Sequence, residues 1–329
     1  MSHRHFRRAV VTGGAGFLGA HLCRSLVETG TDVLCVDDFS TGDPRNVADL
    51  AGSDRFRAVR HDVTEPWEVP GPVDLVAHLA SLASPEHYQR LPVETILVGG
   101  SGCRNALELA AAKGARFVLT STSEVYGDPR EHPQRESYWG NVNPIGPRAV
   151  YDEGKRYAEA LTLAFARQRG VDAGIVRLFN TYGPGMAEDD GRMVPSFIRS
   201  ALRGDPLVVL GSGEQTRSLC WVGDTVRGIL DLARHGGTGP INIGNPDERT
   251  VLDVAELVRE LTGTRSAIEH RSAATDDPAR RCPDIALAAT LLGWTPRVEL
   301  RTGLRWAVEG LAAEWGLPLP AAGRSAVGR

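Results

Sequence analysis

The 329-residue sequence predicts an α/β protein, a doubly wound parallel sheet joined to a smaller mixed α/β domain. Three observations carry that expectation. Short, β-branched apolar runs alternate with stretches of helical spacing through the first 180 residues, as in a parallel sheet covered on both faces. A glycine-rich turn, Gly13-Gly14-Ala15-Gly16, joins the first apolar run to the first helical stretch. Beyond residue 180 the alternation loosens, and turn pairs such as Gly183-Pro184 and Asn245-Pro246 separate shorter elements. The first two together mark the sheet as Rossmann-type.

Residues 8–12 form a short apolar run that reads as a buried strand. From 17 to 28 the apolar residues Phe17, Leu18, Leu22 and Leu26 fall at helical spacing, with Gly30 as the stop. A second buried strand over 32–36 ends at Asp37. Further strands are expected at 56–59, 73–79, 117–119 and 173–179, with helices at about 91–113 and 151–169 between them. Later helical patterns fall at about 193–203, 222–234, 250–262, 285–292 and 302–315. The expected organisation is a dinucleotide-binding domain over 1–180 and a mainly substrate-binding domain over 181–315, interleaved with the first. A Gly-, Pro- and Ala-rich tail over 316–329 is expected to be disordered.

Hydrophobic residues at 42% and charged residues at 24% place the chain among ordinary globular proteins. A net charge of -4 gives no basis for binding nucleic acid or an anionic membrane surface. The basic start, 1–8, is followed by an apolar stretch that Gly13, Gly14 and Gly16 break too early for a signal-peptide core, and no run is long enough to span a membrane. Five scattered cysteines without a C-x-x-C pair, and nine histidines without ligand spacing, indicate neither a metal site nor a disulfide framework. A reducing, cytoplasmic setting is expected. Trp221, Trp294 and Trp306 read as core or turn packing.

The glycine turn carries the first functional signal. Gly13, Gly16 and Gly19, with Phe17 and Leu18 opening the helix, let the backbone turn tightly and bring amide N–H groups to a pyrophosphate. Asp37, ending the next strand, is placed to accept hydrogen bonds from the adenosine ribose and to repel a 2′-phosphate, so NAD is expected over NADP. Asp62 and Val63 end the third strand and are expected beside the adenine.

The second signal is Tyr151-x-x-x-Lys155. Residues four apart share a helical face, and an ammonium near a phenol favours phenolate, the form that acts as a base. Only two of the 37 basic residues other than histidine are lysines, Lys113 and Lys155, so a lysine four residues after a tyrosine stands out. Thr122, Ser123 and Glu124 follow the fifth strand, at the carboxyl edge where parallel sheets bind ligands.

With these motifs the chain resembles the extended short-chain dehydrogenases/reductases. Within them it is most similar to the UDP-glucuronate decarboxylase family (UDP-xylose synthases). The resemblance rests on 122–128 (TSEVYGD), 138–148 (YWGNVNPIGPR) and 151–156 (YDEGKR), continues through 179–184, 211–217, 245–246, 276–278, 281–285 and 292–294, and covers roughly 8–310. It implies NAD-dependent decarboxylation of UDP-glucuronate to UDP-xylose through a 4-keto intermediate, with NAD recycled. It further implies that Tyr151 takes the sugar 4-hydroxyl proton, that Thr122 hydrogen-bonds that hydroxyl, and that Lys155 also holds the nicotinamide ribose. Glu124 with Ser123, and Arg281, would serve decarboxylation and reprotonation at C5. Asn180, Gln215 and Arg217 would bind the diphosphate, and Tyr88 the substrate. Thr181 and Arg192, together with Asp38, Ser40, Thr41, Leu79 and Ser81, would line the cofactor. A homodimer through a four-helix contact of the regions near 91–113 and 151–169 is also implied.

Three positions depart from the family pattern. Leu97-Val98-Gly99 stands where Lys-Thr-Asn is usual, Gly185 where Arg is usual and Asp38 where Asn is usual. Three alternatives share the fold: a hexuronate 4-epimerase, a sugar-nucleotide 4,6-dehydratase and a redox-silent dinucleotide-binding regulator. Ser123 stands where dehydratases carry an acid, and a hydroxyl is a poor general acid.

Overall fold

The computed structural model describes residues 4–272 and 280–319. The first half is laid down as β1 (Arg8–Thr12), α1 (Phe17–Glu28), β2 (Asp32–Asp37), β3 (Phe56–Arg60), β4 (Leu75–His78), α2 (Pro85–Arg90), α3 (Pro92–Leu97), α4 (Cys103–Lys113), β5 (Arg116–Thr122), α5 (Ala149–Arg169) and β6 (Ala173–Leu178). The second half adds β7 (Thr181–Tyr182), α6 (Met193–Arg203), β8 (Leu207–Leu210), β9 (Thr216–Ser218), β10 (Cys220–Trp221), α7 (Val222–His235) and β11 (Ile241–Ile243). It continues with β12 (Glu248–Thr250), α8 (Val251–Thr262), β13 (Ile268–Arg271), β14 (Arg280–Arg281), α9 (Ala286–Leu292) and α10 (Leu300–Trp315).

Seven strands make one parallel sheet in the order β11-β6-β5-β4-β1-β2-β3. The chain reverses its direction of travel between β1 and β4, and a ligand crevice opens at that switch point. Every residue of β5 is buried, because helices cover both faces. On one face α1 and α7 build an apolar core with Leu22, Leu26, Ile229 and Leu232. On the other, α4 and α5 contribute Leu107, Ala110, Ala158 and Phe165. The smaller lobe has its own core, in which Phe197, Ile198, Val254, Val258, Leu304 and Leu311 of α6, α8 and α10 meet Leu207 and Val209 of β8.

The lobes interleave, because β11 and α7 return to the large sheet between elements of the smaller lobe. In the smaller lobe β8 pairs with β13, and β9 lies between β12 and β14. That last pairing sets Arg281 beside Arg217 in register.

The expected helix over 91–113 is in fact two helices joined by a π-helical turn, Val98–Gly102. Pro92 lacks an N–H and opens α3, and the three glycines of the turn have low helix propensity. Trp294 is core, its Nε1 donating to the Asp224 carbonyl at 3.0 Å, whereas Trp306 is 44% exposed and meets Trp221 edge-on. Residues 316–319 of the expected disordered tail are placed. The Leu317 N–H donates to the Ala312 carbonyl, and Leu317 and Leu319 pack on the smaller core, since two leucines among small residues still find an apolar surface. Residues 320–329 of that tail, and 276–278 of the resemblance, lie outside the described residues.

Candidate active site

The crevice at the switch point has a volume of about 1640 Å³. Gly13, Gly16, Phe17, Leu18, Gly19, Asp37, Asp38, Ser40 and Thr41 line its β1–β2 side, and Asp62, Val63, Leu79, Ser81 and Arg192 complete it. The local geometry fits a dinucleotide. Gly13 has φ +67, and a Cβ there would lie 2.7 Å from the Ala80 nitrogen. A Cβ on Gly19 would lie 2.0 Å from the Gly13 carbonyl oxygen. Only glycine lets this loop fold back on its helix so closely. Gly16 caps α1 with no side-chain hydrogen bond, leaving amides of the first turn for an anion.

Asp37 accepts from the Ala15 and Phe39 amides, each at 2.9 Å. These bonds aim its carboxylate into the crevice, where its remaining lone pairs suit ribose hydroxyls. Asp38 accepts from the Ser40 amide and hydroxyl, so that departure closes its own local turn. Gly185 borders the crevice at φ +86, and its N–H donates to Glu314 at 2.8 Å. Arg192 chelates Asp190 in an ion pair. Thr181 does not line this crevice. Its hydroxyl is bonded to the Phe179 carbonyl and to Thr225, each at 3.0 Å.

Tyr151 and Lys155 lie buried on α5, under the end of β5. The Lys155 ammonium donates to the Thr120 carbonyl at 2.9 Å and sits 6.0 Å from the centre of the Tyr151 ring. Burial lowers Lys155 to about 8, against the opposing pull of Cys103 and Glu159. Burial likewise pushes Tyr151 up to about 12, though a hydrogen bond with Thr122 favours its phenolate. The expected lowering of the phenol by Lys155 is therefore outweighed in the bare protein. Desolvation penalises both charged forms. The Tyr151 ring stacks on Tyr88, with centroids 5.5 Å apart and planes 9° apart.

Beside this pair stands a carboxylate clamp. Arg281 grips Glu124 with two hydrogen bonds, at 2.5 and 2.8 Å, and Arg148 adds a third at 2.5 Å. Burial alone would raise Glu124, but Arg281 and Arg148 outweigh it and hold the carboxyl at about 2. Ser123 is buried in the short helical turn between β5 and Tyr126. Around the clamp, Tyr88 Oη, Asp152 Oδ1 and Arg281 Nε are buried without a hydrogen-bond partner among the described residues. Buried polar groups are nearly always satisfied, so these three atoms point to a polar ligand.

Asn180, Gln215 and Arg217 do not line the crevice. Arg217 is buried beside Arg281, whereas the Gln215 amide is turned to the Leu210 carbonyl at 2.6 Å. Arg148 and Asp152 were not singled out individually from the sequence. Their signal was the i, i+4 spacing at the start of α5, within the runs that carried the resemblance.

His132, Glu248 and Cys282 also converge, with potential ligand atoms within 4.8 Å of one another. Glu248 is already engaged by His132 at 3.2 Å, by Thr216 and by Arg280, so the cluster is satisfied as an ion-pair network.

The sequence profile of the NAD dependent epimerase/dehydratase family matches residues 9–244. UDP-glucuronic acid decarboxylase 1 of Arabidopsis thaliana is 50% identical over 297 residues, spanning 90% of this chain and 68% of that protein. The zebrafish (Danio rerio) protein of the same name is 46% identical over 336 residues, spanning 100% of this chain and 80% of its own. Among solved structures, the UDP-glucuronic acid 4-epimerase of Bacillus cereus in complex with UDP-glucuronic acid and NAD aligns with a TM-score of 0.83. It is 25% identical, and the alignment covers 93% of this chain and 99% of the epimerase.

Proposed function

The chain belongs to the NAD dependent epimerase/dehydratase family, and from that membership we propose that it decarboxylates UDP-glucuronate to UDP-xylose with a bound NAD. The observation that carries this reading is the Arg281–Glu124–Arg148 clamp beside Tyr151, ringed by three unsatisfied polar atoms. A hexuronate carboxylate can accept from Tyr88 and from the free Arg281 Nε–H, which puts its C6 at the clamp. A simple epimerase needs no such set, and Ser123 offers no acid for dehydration.

NAD, held by the glycine turn and Asp37, would supply the hydride acceptor for C4. Tyr151 takes the proton of the 4-hydroxyl, and Thr122 orients that hydroxyl. Lys155, buried and cationic below about pH 8, favours the phenolate and holds the nicotinamide ribose. Oxidation makes the substrate a β-keto acid, and Arg281 holds its carboxylate for loss of carbon dioxide. Asn180, Gln215 and Arg217 bind the diphosphate, and Arg192 flanks the cofactor.

The protein works as a homodimer through α3 and α5, a reading supported by the apolar residues these helices expose. Its five cysteines are buried and joined in no disulfide, which supports a cytoplasmic setting. No helix of the described residues is long and apolar enough to cross a membrane.

Incubating the purified protein with UDP-glucuronate tests the activity. The expected products are carbon dioxide and a UDP-pentose, and Tyr151→Phe should lower kcat by at least about 100-fold, the scale of a lost general base. UDP-galacturonate without gas would establish the epimerase instead. Tight NAD binding with no turnover would point to a regulator.

A further inference from the structure

Of the three buried atoms without partners around the clamp, the Asp152 oxygen is the one to which the proposed chemistry assigns no task. Asp152 is 5% exposed. It lies four residues after Arg148, the residue that caps α5, and its N–H donates to the Arg148 carbonyl at 3.1 Å, so the two share a helix face. Arg148 reaches Glu124 from that face, so Asp152 looks onto the clamp rather than onto Lys155. The charged and titratable groups around it are Glu124 from the turn after β5, Arg281 from β14, Arg148 and Glu153 from the start of α5, and the phenols of Tyr88 and Tyr151.

These surroundings separate two neighbouring carboxyls. Glu124 is locked as an anion by its two arginines. Burial, and then the charge of Glu124, push Asp152 up to about 7, against Arg148 and Arg281. An acid that holds its proton near neutral pH is suited to give it up in catalysis, and one held at about 2 is not.

Resting on the decarboxylase reading, we propose that Asp152, rather than Glu124, stores the proton that is delivered to C5 after carbon dioxide leaves. Loss of carbon dioxide breaks the C5–C6 bond, and its electron pair forms the enolate with the C4 carbonyl. The Asp152 O–H bond then breaks as the C5–H bond forms, the C4 ketone is restored, and Asp152 is left as a carboxylate. Water reprotonates it before the next turnover, so no additional redox partner is required.

The experiment compares wild type, Asp152→Asn, Asp152→Glu and Glu124→Gln with UDP-glucuronate in D₂O, following carbon dioxide, kcat, KM and deuterium at C5 of the product. Wild type should place deuterium on one face of C5. Asp152→Asn should lose about 100-fold in kcat at unchanged KM and NAD affinity, and label both faces as water takes over the delivery. Asp152→Glu should recover part of the rate and the single-face label, which a purely structural role would not produce. Single-face labelling at near wild-type kcat in Asp152→Asn overturns the proposal. So does scrambled label in Glu124→Gln with Asp152→Asn unaffected. Wild type that releases no carbon dioxide overturns the decarboxylase reading and this proposal with it, an outcome distinct from both.

Discussion

His78 ends β4 wholly buried, its Nδ1 2.8 Å from the Thr12 hydroxyl. Burial first, and the nearby Lys155 second, lower it to about 3. Its folded value lies below that of the unfolded chain, about 6.5. The contribution of the neutral ring to stability is therefore complete above pH 6.5 and is lost as pH falls from there toward 3. Glu124 has the same sign in a lower window. Its ion pairs stabilise the fold above about pH 4.5, and that contribution fades toward pH 2. Asp152, held at about 7 in the fold, has the opposite sign over the same range, so the His78 contribution is read as the difference in Tm between wild type and a His78 variant across a pH series. His78→Asn, which keeps a polar contact for Thr12, should lose Tm less steeply than wild type over the limb between about pH 6.5 and 5, where His21 acts with His78 and Asp152 against it. An unchanged limb in the variant would place the titration elsewhere. At this scale, what the sequence made legible were the residues whose meaning is local: Gly13, Asp37, Tyr151 and Lys155. His78, Arg148 and Asp152 depend on burial and on charges distant in the chain, which spacing alone does not disclose. The same limit applied to the Tyr151 phenol, whose desolvation only the folded packing reveals.

The π-helical turn Val98–Gly102 overlaps Leu97-Val98-Gly99, the segment whose sequence reads as a departure from the family pattern. The turn sets Gly99 against α5. A Cβ on Gly99 would lie 2.9 Å from the Gly154 carbonyl oxygen and 3.0 Å from its Cα, backbone atoms that cannot swing aside. Gly154 precedes Lys155, so this contact fixes the height of the catalytic helix over the sheet, while Val98 faces the crevice. Gly99→Ala should therefore cost about 1–3 kcal/mol, the scale of overpacking, and lower kcat as Lys155 shifts from the Thr120 carbonyl. Thermal unfolding and turnover measured on one preparation check both arms, and wild-type values in both would mean that the contact is slack. Apolar periodicity located both helices of this region, because each buries a stripe against the sheet. Apolar spacing does not disclose the break between them, since a π turn is set by which carbonyl each amide bonds and not by an apolar pattern of its own. The sheet was legible for the opposite reason: strands such as β5 are buried on both faces and read as unbroken apolar runs.

Across the whole molecule, large apolar side chains left exposed concentrate where α3 meets α5. Val93 is 62% exposed, Ile96 43% and Leu97 45% on α3, and Tyr157 is 53% exposed on α5. A contiguous apolar patch of this kind marks an association surface. Two packed helices meeting their own copies about a two-fold axis make a self-complementary four-helix contact. Association there would stiffen α5, which carries Tyr151, Asp152 and Lys155. Val93→Glu combined with Ile96→Glu places like charges on both copies at the centre of that contact. Sedimentation equilibrium should then show a dimer for the wild type and a monomer for the double variant. Both substitutions are at exposed positions, so each protomer should keep its circular dichroism and its affinity for NAD. Turnover should fall in the monomer, because the first turns of α5 lose their external brace while the cofactor loop, built on β1 and α1, does not. A wild type that sediments as a monomer, or a double variant that remains a dimer, would move the interface away from these helices.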